Sequence, residues 1–390
     1  MRMNQFDYIF LGAGCATLSV VTRMIKSGKF SDSKILIVDR DKKNTNDRTW
    51  CFWEQEPGFF ETIVHSRWKN LNFKTEKENI NLDIAPYEYK MIRGIDLYEY
   101  SFNLIKHQPN IEFLRSAVDF SNDNSISINQ ETLRQSKHTT IFNSIYKTQK
   151  ENNNTYYLLQ HFKGYVIETN TDSFNKDEGT LMDFSISQKH GTTFMYVLPL
   201  SKRKALVEYT LFTEALLSPE EYNKGLFHYL QNTLGLESYE IIDKEFGVIP
   251  MTNKVFPFFD GTKYNIGTAG GQTKPSTGYT FPFIQRQSEE IIDMLLKKSL
   301  PVRQNLKMDR FHFYDSTFLN ILANKKLDGK TIFYHLFKKN KAEKVLKFLD
   351  NATSLREELR ILNTLPKWPF LKAGMHEFPS ILFNSLMSRR

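Results

Sequence analysis

The start of the chain alternates between two apolar runs and one amphipathic stretch. Residues 6–11 (FDYIFL) and 34–39 (KILIVD) are short apolar runs, which are typical of buried strands. Between them, GAGCAT opens an amphipathic segment that continues to about Lys26, and Ser27-Gly28 marks its end. A strand, a helix and a strand within about 33 residues predict a Rossmann-type βαβ unit over residues 6–39.

A different pattern follows over residues 155–212, where strand-like runs are separated by polar turns. The four runs are YYLLQHFKGYVIET, LMDFSISQ, TTFMYVLPLS and KALVEYTLF. Strands that follow one another without intervening helices favour an antiparallel sheet, and hence a second domain. Ser218, Pro219 and Glu221 then predict a capped helix that continues to about Leu234.

The region between these two patterns is less regular. Residues 40–100 are interpreted as irregular, up to a helix over 96–107 for which Asp96 is a plausible N-cap. Residues 111–118 and 139–146 predict two further strands.

Composition and charge limit the possible partners. The net charge of 52 − 44 = +8 suits an anionic membrane surface as well as nucleic acid. Since no recognition motif appears and the lysines are scattered, we expect no nucleic-acid partner. No apolar run of about 18 residues occurs, so we expect no spanning helix and only peripheral membrane contact. Cys15 and Cys51 lack metal or disulfide spacing, which fits a reducing cytoplasm.

The glycine turn after the first strand has the features of a dinucleotide site. Gly12 permits a tight turn, and Gly14 lets the backbone approach a pyrophosphate at the start of the helix. The acid expected at the ribose is Asp39, which lies 39 − 12 = 27 residues after Gly12. The predicted cofactor contacts of this unit are Gly12, Ala13, Gly14, Ala16, Asp39 and Arg40.

A second glycine segment favours a flavin over a nicotinamide cofactor. Residues 266–279 (IGTAGGQTKPSTGY) resemble the late flavin motif of the p-hydroxybenzoate hydroxylase-like superfamily. Gly267, Ala269, Pro275 and Gly278 match its spacing, although Thr268 stands where that superfamily usually has Asp. The resemblance implies FAD, with its ribityl chain and ring contacted from this loop by Gly267, Thr268, Pro275, Thr277 and Gly278.

Several further segments are similar to the lycopene cyclases of bacteria and plants. Residues 46–50 (NDRTW) resemble their Thr-Trp motif, which makes Thr49 and Trp50 additional cofactor contacts. Residues 194–200 (FMYVLPL) followed by 206–210 (LVEYT) resemble the cyclase strand that ends in Pro before an acidic motif. One departure is Tyr209, because plant cyclases carry a second acid there.

The cyclase resemblance implies a concrete chemistry. Lycopene would be cyclised at one or both ψ-ends to β-rings, giving γ-carotene or β-carotene without net oxidation. Glu208 is the candidate acid–base residue, because a carboxyl beside apolar surface has a raised pKa and can deliver a proton to a double bond. Reduced FAD would have a supporting, non-redox role. On residue pattern alone, Glu208 faces solvent or pairs with Arg203 or Lys204.

Two other functions stay open at this point. An FAD-dependent monooxygenase or oxidoreductase acting on an apolar substrate would share both glycine motifs, and a lipid-carrying flavoprotein would share the fold. A basic amphipathic pattern over residues 331–349 could lie on the inner face of the cell membrane, or its apolar side could pack on its own domain.

The expected fold class is therefore α/β, of the p-hydroxybenzoate hydroxylase-like kind. We expect a Rossmann-type FAD-binding domain assembled from residues 1–150 and 245–300, and an antiparallel-sheet substrate domain over 151–244. From about Phe283 the pattern is mainly helical, so residues 301–390 are expected to form a C-terminal helical region.

Overall fold

The computed structural model describes residues 5–122, 125–128, 131–133, 138–147, 155–301 and 309–387. The first strands in chain order are β1 (Tyr8–Leu11), β2 (Ile35–Asp39), β3 (Thr49–Glu54), β4 (Ser66–Trp68), β5 (Asn70–Lys74), β6 (Asn79–Asp83), β7 (Glu88–Arg93), β8 (Ile111–Arg115) and β9 (Val118–Asn122). They are followed by β10 (Ser125–Ile128), β11 (Glu131–Leu133), β12 (Thr140–Asn143), β13 (Tyr157–Glu168), β14 (Glu178–Asp183), β15 (Thr192–Pro199), β16 (Lys204–Thr213), β17 (Glu240–Thr252) and β18 (Tyr264–Asn265). The helices are α1 (Cys15–Ser27), α2 (Gly94–Ile105), α3 (Pro219–His228), α4 (Phe281–Leu296), α5 (Arg310–Ala323), α6 (Gly329–Lys339), α7 (Ala342–Leu349), α8 (Leu355–Leu362) and α9 (Lys367–Met387).

A five-stranded parallel sheet forms around the predicted βαβ unit. Its strand order is β18–β12–β1–β2–β8, and β1 pairs in parallel with both β2 and β12. Every residue of β2 is buried, as expected for a strand in the middle of an α/β sheet. The βαβ prediction for residues 6–39 is confirmed.

A seven-stranded sheet holds most of the predicted antiparallel strands. Its order is β17–β13–β16–β15–β14–β5–β6, with every pairing antiparallel except that of β14 with β5. The interpretation of residues 40–100 as irregular was wrong, since β3 to β7 lie there and two of them extend this sheet. These strands are only three to six residues long, which is too short for periodicity to distinguish them from loops.

Helix boundaries follow the sequence signals in part. Ser218 caps α3 by a capping box with Glu221, as predicted, and a π-helical turn extends the segment to Thr233. Asp96 is not the N-cap of α2: the helix begins at Gly94 after Arg93, and Asp96 instead accepts two hydrogen bonds from the Arg93 guanidinium. Helices α5 to α9 confirm the helical character of the C-terminal region.

Candidate functional site

The glycine loop after β1 leaves the start of α1 open. Gly12 has φ +89°, a conformation that L side chains rarely adopt, and Gly14 is the N-cap without any side-chain cap. A Cβ at Gly14 would meet nothing within 4 Å. The start of α1 therefore has no side-chain cap, which leaves its first amides available to an anion.

The acid at the end of β2 contacts the same loop. Asp39 is buried, and its Oδ2 accepts a hydrogen bond from the Ala13 amide at 2.6 Å. Its Oδ1 accepts from the Asp41 amide at 2.8 Å. Arg40 is exposed and pairs with Asp41 at 3.6 Å. Asp39 thus lies against the loop, whereas the Arg40 side chain points into solvent.

The two glycine segments meet, although they lie far apart in the sequence. Gly267 has φ +60°, and a Cβ added there would lie 2.7 Å from the Cβ of Ala16 in α1. Gly278 has φ +71°, and an added Cβ would lie 2.2 Å from Gln160 Oε1. The close approach of the two segments therefore depends on Gly267, whereas Gly278 lets the second segment pack against Gln160 on β13.

A cavity of about 480 Å³ opens beside these loops, and we name it the carboxyl cavity. Strands β3, β13, β15, β16 and β17 and the segment 277–281 form its walls. The buried atoms Gln160 Oε1 and Thr277 Oγ1 have no hydrogen-bond partner among the described residues. Six residues that define this cavity are Trp50, Tyr196, Glu208, Glu245, Thr277 and Phe281.

Glu208 lies in the wall of the carboxyl cavity. Its Oε1 accepts a hydrogen bond from Thr210 at 2.5 Å. Val207 and Tyr209 pack into a core on the opposite side of the sheet, as strand alternation predicts. Arg203 pairs instead with Asp172, and Lys204 with Glu168, so the alternative of a lysine or arginine partner for Glu208 was wrong.

Glu245, from the edge strand β17, is a second acid that the sequence analysis missed. Its Oε2 accepts a hydrogen bond from the Thr49 hydroxyl at 2.8 Å. Burial, and after it the nearby Glu245, hold the pKa of Glu208 well above its usual range. Burial also raises the pKa of Glu245. No sequence signal identified Glu245, because Glu240 and Asp243 on the same strand give it the appearance of one more exposed charge.

Aromatic rings surround the two acids. The hydroxyls of Tyr89 and Tyr196 both interact with that of Tyr279, whose pKa burial raises to about 12. Trp50 is half-buried and lines the cavity, whereas Phe52 and Trp53 are core residues. The phenols are therefore neutral near pH 7, and aromatic side chains contribute much of the cavity wall.

A larger cavity of about 660 Å³ lies among helices α5 to α9, and we name it the helical chamber. Its walls are mostly apolar, and Phe318, Phe333 and Leu336 contribute to them. Thr277 lines both this chamber and the carboxyl cavity. Next to that residue, Lys274 forms a buried ion pair of 2.9 Å with Asp315 on α5.

The basic amphipathic pattern at 331–349 packs inward. Ile332, Phe333, Leu336 and Val345 are buried in the main core, so of the two alternatives left open for this stretch, packing of its apolar side on its own domain is confirmed. None of the described helices is both long and apolar enough to cross a membrane. Exposed apolar side chains on α8 and α9 are Leu355, Leu359, Trp368, Leu371, Met375 and Phe378. A second group, Ile241, Ile242, Phe246 and Val248, lies on β17.

Comparison with known proteins decides the family. A family model described as lycopene cyclase protein matches residues 7–375. The chain belongs to the lycopene cyclase family. A curated relative, lycopene beta-cyclase from Pantoea ananas, is 20% identical over 387 residues, which cover 95% of this chain and 97% of the relative. The family resemblance predicted from the sequence is confirmed.

Solved structures share the fold at low identity. A geranylgeranyl bacteriochlorophyll reductase-like protein from Thermoplasma acidophilum gives a TM-score of 0.55 at 13% identity, covering 98% of this chain and 99% of that one. The flavin-dependent brominase Bmp2 gives 0.57 at 10% identity, covering 96% and 99%. CtdE, solved in complex with FAD and substrate 4, gives 0.53 at 10% identity, covering 98% and 100%. The expected fold class, mixed α/β with a parallel sheet and a helical C-terminus, is confirmed.

Proposed function

We propose that the chain is a lycopene β-cyclase that converts the acyclic ψ-ends of lycopene to β-rings. The family membership and the curated relative support a carotenoid substrate. The observation that carries the proposal is the carboxyl of Glu208, whose pKa is raised well above its usual range beside an aromatic cavity. Such a group holds a proton near neutral pH and can give it to a carbon–carbon double bond.

Glu208 acts in both proton transfers of the proposed reaction. It donates its proton to the terminal double bond, and the resulting tertiary carbocation is attacked by a neighbouring double bond, which closes the ring. The carboxylate of Glu208 then removes a proton from the ring and returns to its starting state. Atoms and electrons balance without an oxidant, because the substrate gains one proton and loses another.

The aromatic walls stabilise the cationic stage. Tyr196 pairs directly with Glu208 across strands β15 and β16, and Tyr279 and Phe281 line the same cavity. Ring faces attract a desolvated cation electrostatically, by about 2 kcal/mol at buried sites. The walls also keep water away, since water would otherwise capture the carbocation as an alcohol.

The described residues fit an FAD molecule. The open start of α1 at Gly14 suits the pyrophosphate, and Asp39 lies against that loop. Thr277, whose buried hydroxyl has no partner among the described residues, lines the cavity in which the ring would lie. Reduced, anionic FAD would supply negative charge that stabilises a nearby cation without taking part in redox chemistry. Thr268 and Pro275 would complete the loop around the ribityl chain and ring.

The helical chamber accommodates the remainder of the polyene in this proposal. It is apolar, larger than the carboxyl cavity, and shares Thr277 with it. Apolar residues on or beside α8 and α9 surround its mouth, and the exposed Trp368 would insert at a lipid interface. Exposed cations on the same helices favour an anionic inner leaflet, namely Arg356, Arg360, Lys367 and Lys372.

Anaerobic conversion of lycopene tests the proposed function. Purified protein is incubated with lycopene in liposomes, with FAD either oxidised or chemically reduced, and the pigments are analysed by mass and absorbance. The expected product has unchanged mass and forms only with reduced FAD. A product that gains oxygen and depends on NAD(P)H would favour a monooxygenase, and intact lycopene despite confirmed delivery would contradict the cyclase.

A further inference from the structure

Four residues form one row across the seven-stranded sheet. Gly164 on β13 is paired with Glu208 on β16 and with Glu245 on β17, and Glu208 is paired in turn with Tyr196 on β15. Directly opposite residues of antiparallel strands project to the same face of a sheet. With strands about 4.8 Å apart, the Cα atoms of the two glutamates lie roughly 10 Å from each other, with only a glycine between them.

The missing side chain at Gly164 lets the two carboxyls meet. A Cβ added there would lie 2.9 Å from Glu245 Cγ, 3.0 Å from Glu245 Oε1 and 3.1 Å from Leu206 Cδ1. The Glu245 side chain therefore occupies the space above the glycine and points along the row towards Glu208. Any larger residue at position 164 would force Glu245 aside.

The remaining partners leave a single proton for the pair to share. Glu208 Oε1 accepts from Thr210, and Glu245 Oε2 accepts from Thr49. Glu245 Oε1 is buried and receives no hydrogen bond from the other described residues, so a protonated Glu208 is the donor that suits it. Like charges in contact cannot both be ionised cheaply, whereas one shared proton removes the repulsion.

The other titratable groups near the pair do not supply the shared proton. Burial raises the pKa of the Cys51 thiol, and the Tyr279 phenol has a pKa of about 12, so both are neutral near pH 7. Among the described residues, no cation forms an ion pair with either carboxyl. The other charged and titratable groups of the two cavities that Glu245 lines are Asp47, Arg48, Cys51, Tyr89, Tyr146, Tyr196 and Tyr279 in the carboxyl cavity, and His65, Arg93, Lys204, Asp243 and Lys244 on the outer side of Glu245.

We propose that Glu245 is a positioning residue that shares one proton with Glu208 and keeps that proton on Glu208, ready for delivery to the polyene. The inference rests on the proposed cyclase function and assigns a partner to its acid. The Thr49 hydroxyl stabilises the carboxylate form of Glu245 and so opposes transfer of the proton to that residue. The charge of Glu245 in turn favours the neutral form of Glu208.

Two substitutions should change the pH profile in different ways. Glu245→Gln keeps the shape and the Thr49 contact but removes the negative neighbour, so the alkaline limb of kcat should move down by about one pH unit. Thr49→Val removes the hydroxyl that stabilises the Glu245 carboxylate, so part of the shared proton should move to Glu245 and the plateau value of kcat should fall. KM for lycopene should change little in both. Glu240→Gln, at an exposed position of the same strand, is the matched control.

Infrared spectroscopy tests the pair without any turnover. In substrate-free protein, a protonated carboxyl band that is lost in Glu208→Gln should persist above pH 7 and should titrate at lower pH in Glu245→Gln. The absence of such a band in the wild-type protein, or equal titration in both proteins, would overturn the shared proton. This measurement needs no lycopene, so it tests the shared proton even if the cyclase assay fails.

Discussion

The carboxyl cavity and the helical chamber lie side by side but are built from different elements and different residues. The carboxyl cavity is bounded by strands, and its row of paired positions places two acids and a tyrosine side by side. The helical chamber is bounded by five helices and has mostly apolar walls. Strand pairing fixes positions residue by residue, which suits proton transfer, whereas packed helices leave a wide volume that suits a long chain.

Segment 276–280 is the boundary at which the two cavities meet. Ser276 lines the chamber, Gly278 to Thr280 line the carboxyl cavity, and Thr277 lines both. A polyene that reached from one cavity to the other would pass this hydroxyl. In the proposed function, the reaction would occur in the carboxyl cavity and the helical chamber would hold the unreacted part of the polyene.

The largest expected effect comes from removing the acid on the strand side. Glu208→Gln should lower cyclase kcat by about 10²- to 10⁴-fold, because a positioned general acid contributes that much. FAD content and the urea midpoint should stay near wild type. Pigment analysis measures turnover, flavin absorbance measures FAD content, and Glu240→Gln again serves as the exposed control. Retained turnover in Glu208→Gln would contradict the assignment of proton transfer to the carboxyl cavity.

Breaking the buried ion pair between Lys274 and Asp315, beside segment 276–280, should lower the stability of the protein. Lys274→Met leaves the buried Asp315 without its counter-charge, which should lower the free energy of unfolding by about 3–5 kcal/mol. Lys274→Met combined with Asp315→Leu should recover much of that loss, because no buried charge is then left unpaired. Urea unfolding measures both variants. A single variant as stable as wild type would show that the segment does not depend on this pair.

Filling the helical chamber should slow the reaction of long substrates but not that of short ones. Gly374→Phe places a ring into the chamber wall, whereas Gly374→Ala adds a Cβ that meets only Phe313 at 3.4 Å. The phenylalanine variant should lower kcat/KM for lycopene by about tenfold, a typical cost of a misfit in an apolar pocket. A short acyclic terpenoid with the same end group should be cyclised as by wild type. Equal losses for both substrates would contradict the assigned role of the chamber.

The smallest expected effect concerns the mouth of the chamber. Trp368→Ala combined with Met375→Ala removes two exposed apolar side chains, which should weaken binding to anionic vesicles by about tenfold or less. Vesicle co-sedimentation measures the partition. Phe227→Ala removes a comparably exposed ring from α3 and should leave it unchanged. Equal partition of the double variant and wild type would place the membrane contact elsewhere.

Sequence patterns predicted those structural features that depend on residues close together in the chain. The βαβ unit has a glycine turn between two apolar runs and could be recognised from that pattern, whereas Glu208 was indicated by the resemblance to cyclase motifs. Glu245 could not be recognised, because its role arises from pairing with Gly164, a contact between distant parts of the chain. The lysine-rich 331–349 stretch shows the same limit, since amphipathicity reveals an apolar face but not what that face packs against.

Deuterium incorporation is the most direct test of the central claim. That claim is that a proton from a carboxyl group in the carboxyl cavity starts ring closure. The reaction is run anaerobically in D₂O with reduced FAD, and the product is analysed by mass spectrometry. A solvent-exchanged Glu208 should deliver one deuteron for each ring formed, while the proton lost comes from the substrate, so each ring should add one mass unit. Rings formed without deuterium, or a product that has gained oxygen, would contradict proton-initiated cyclisation by this acid.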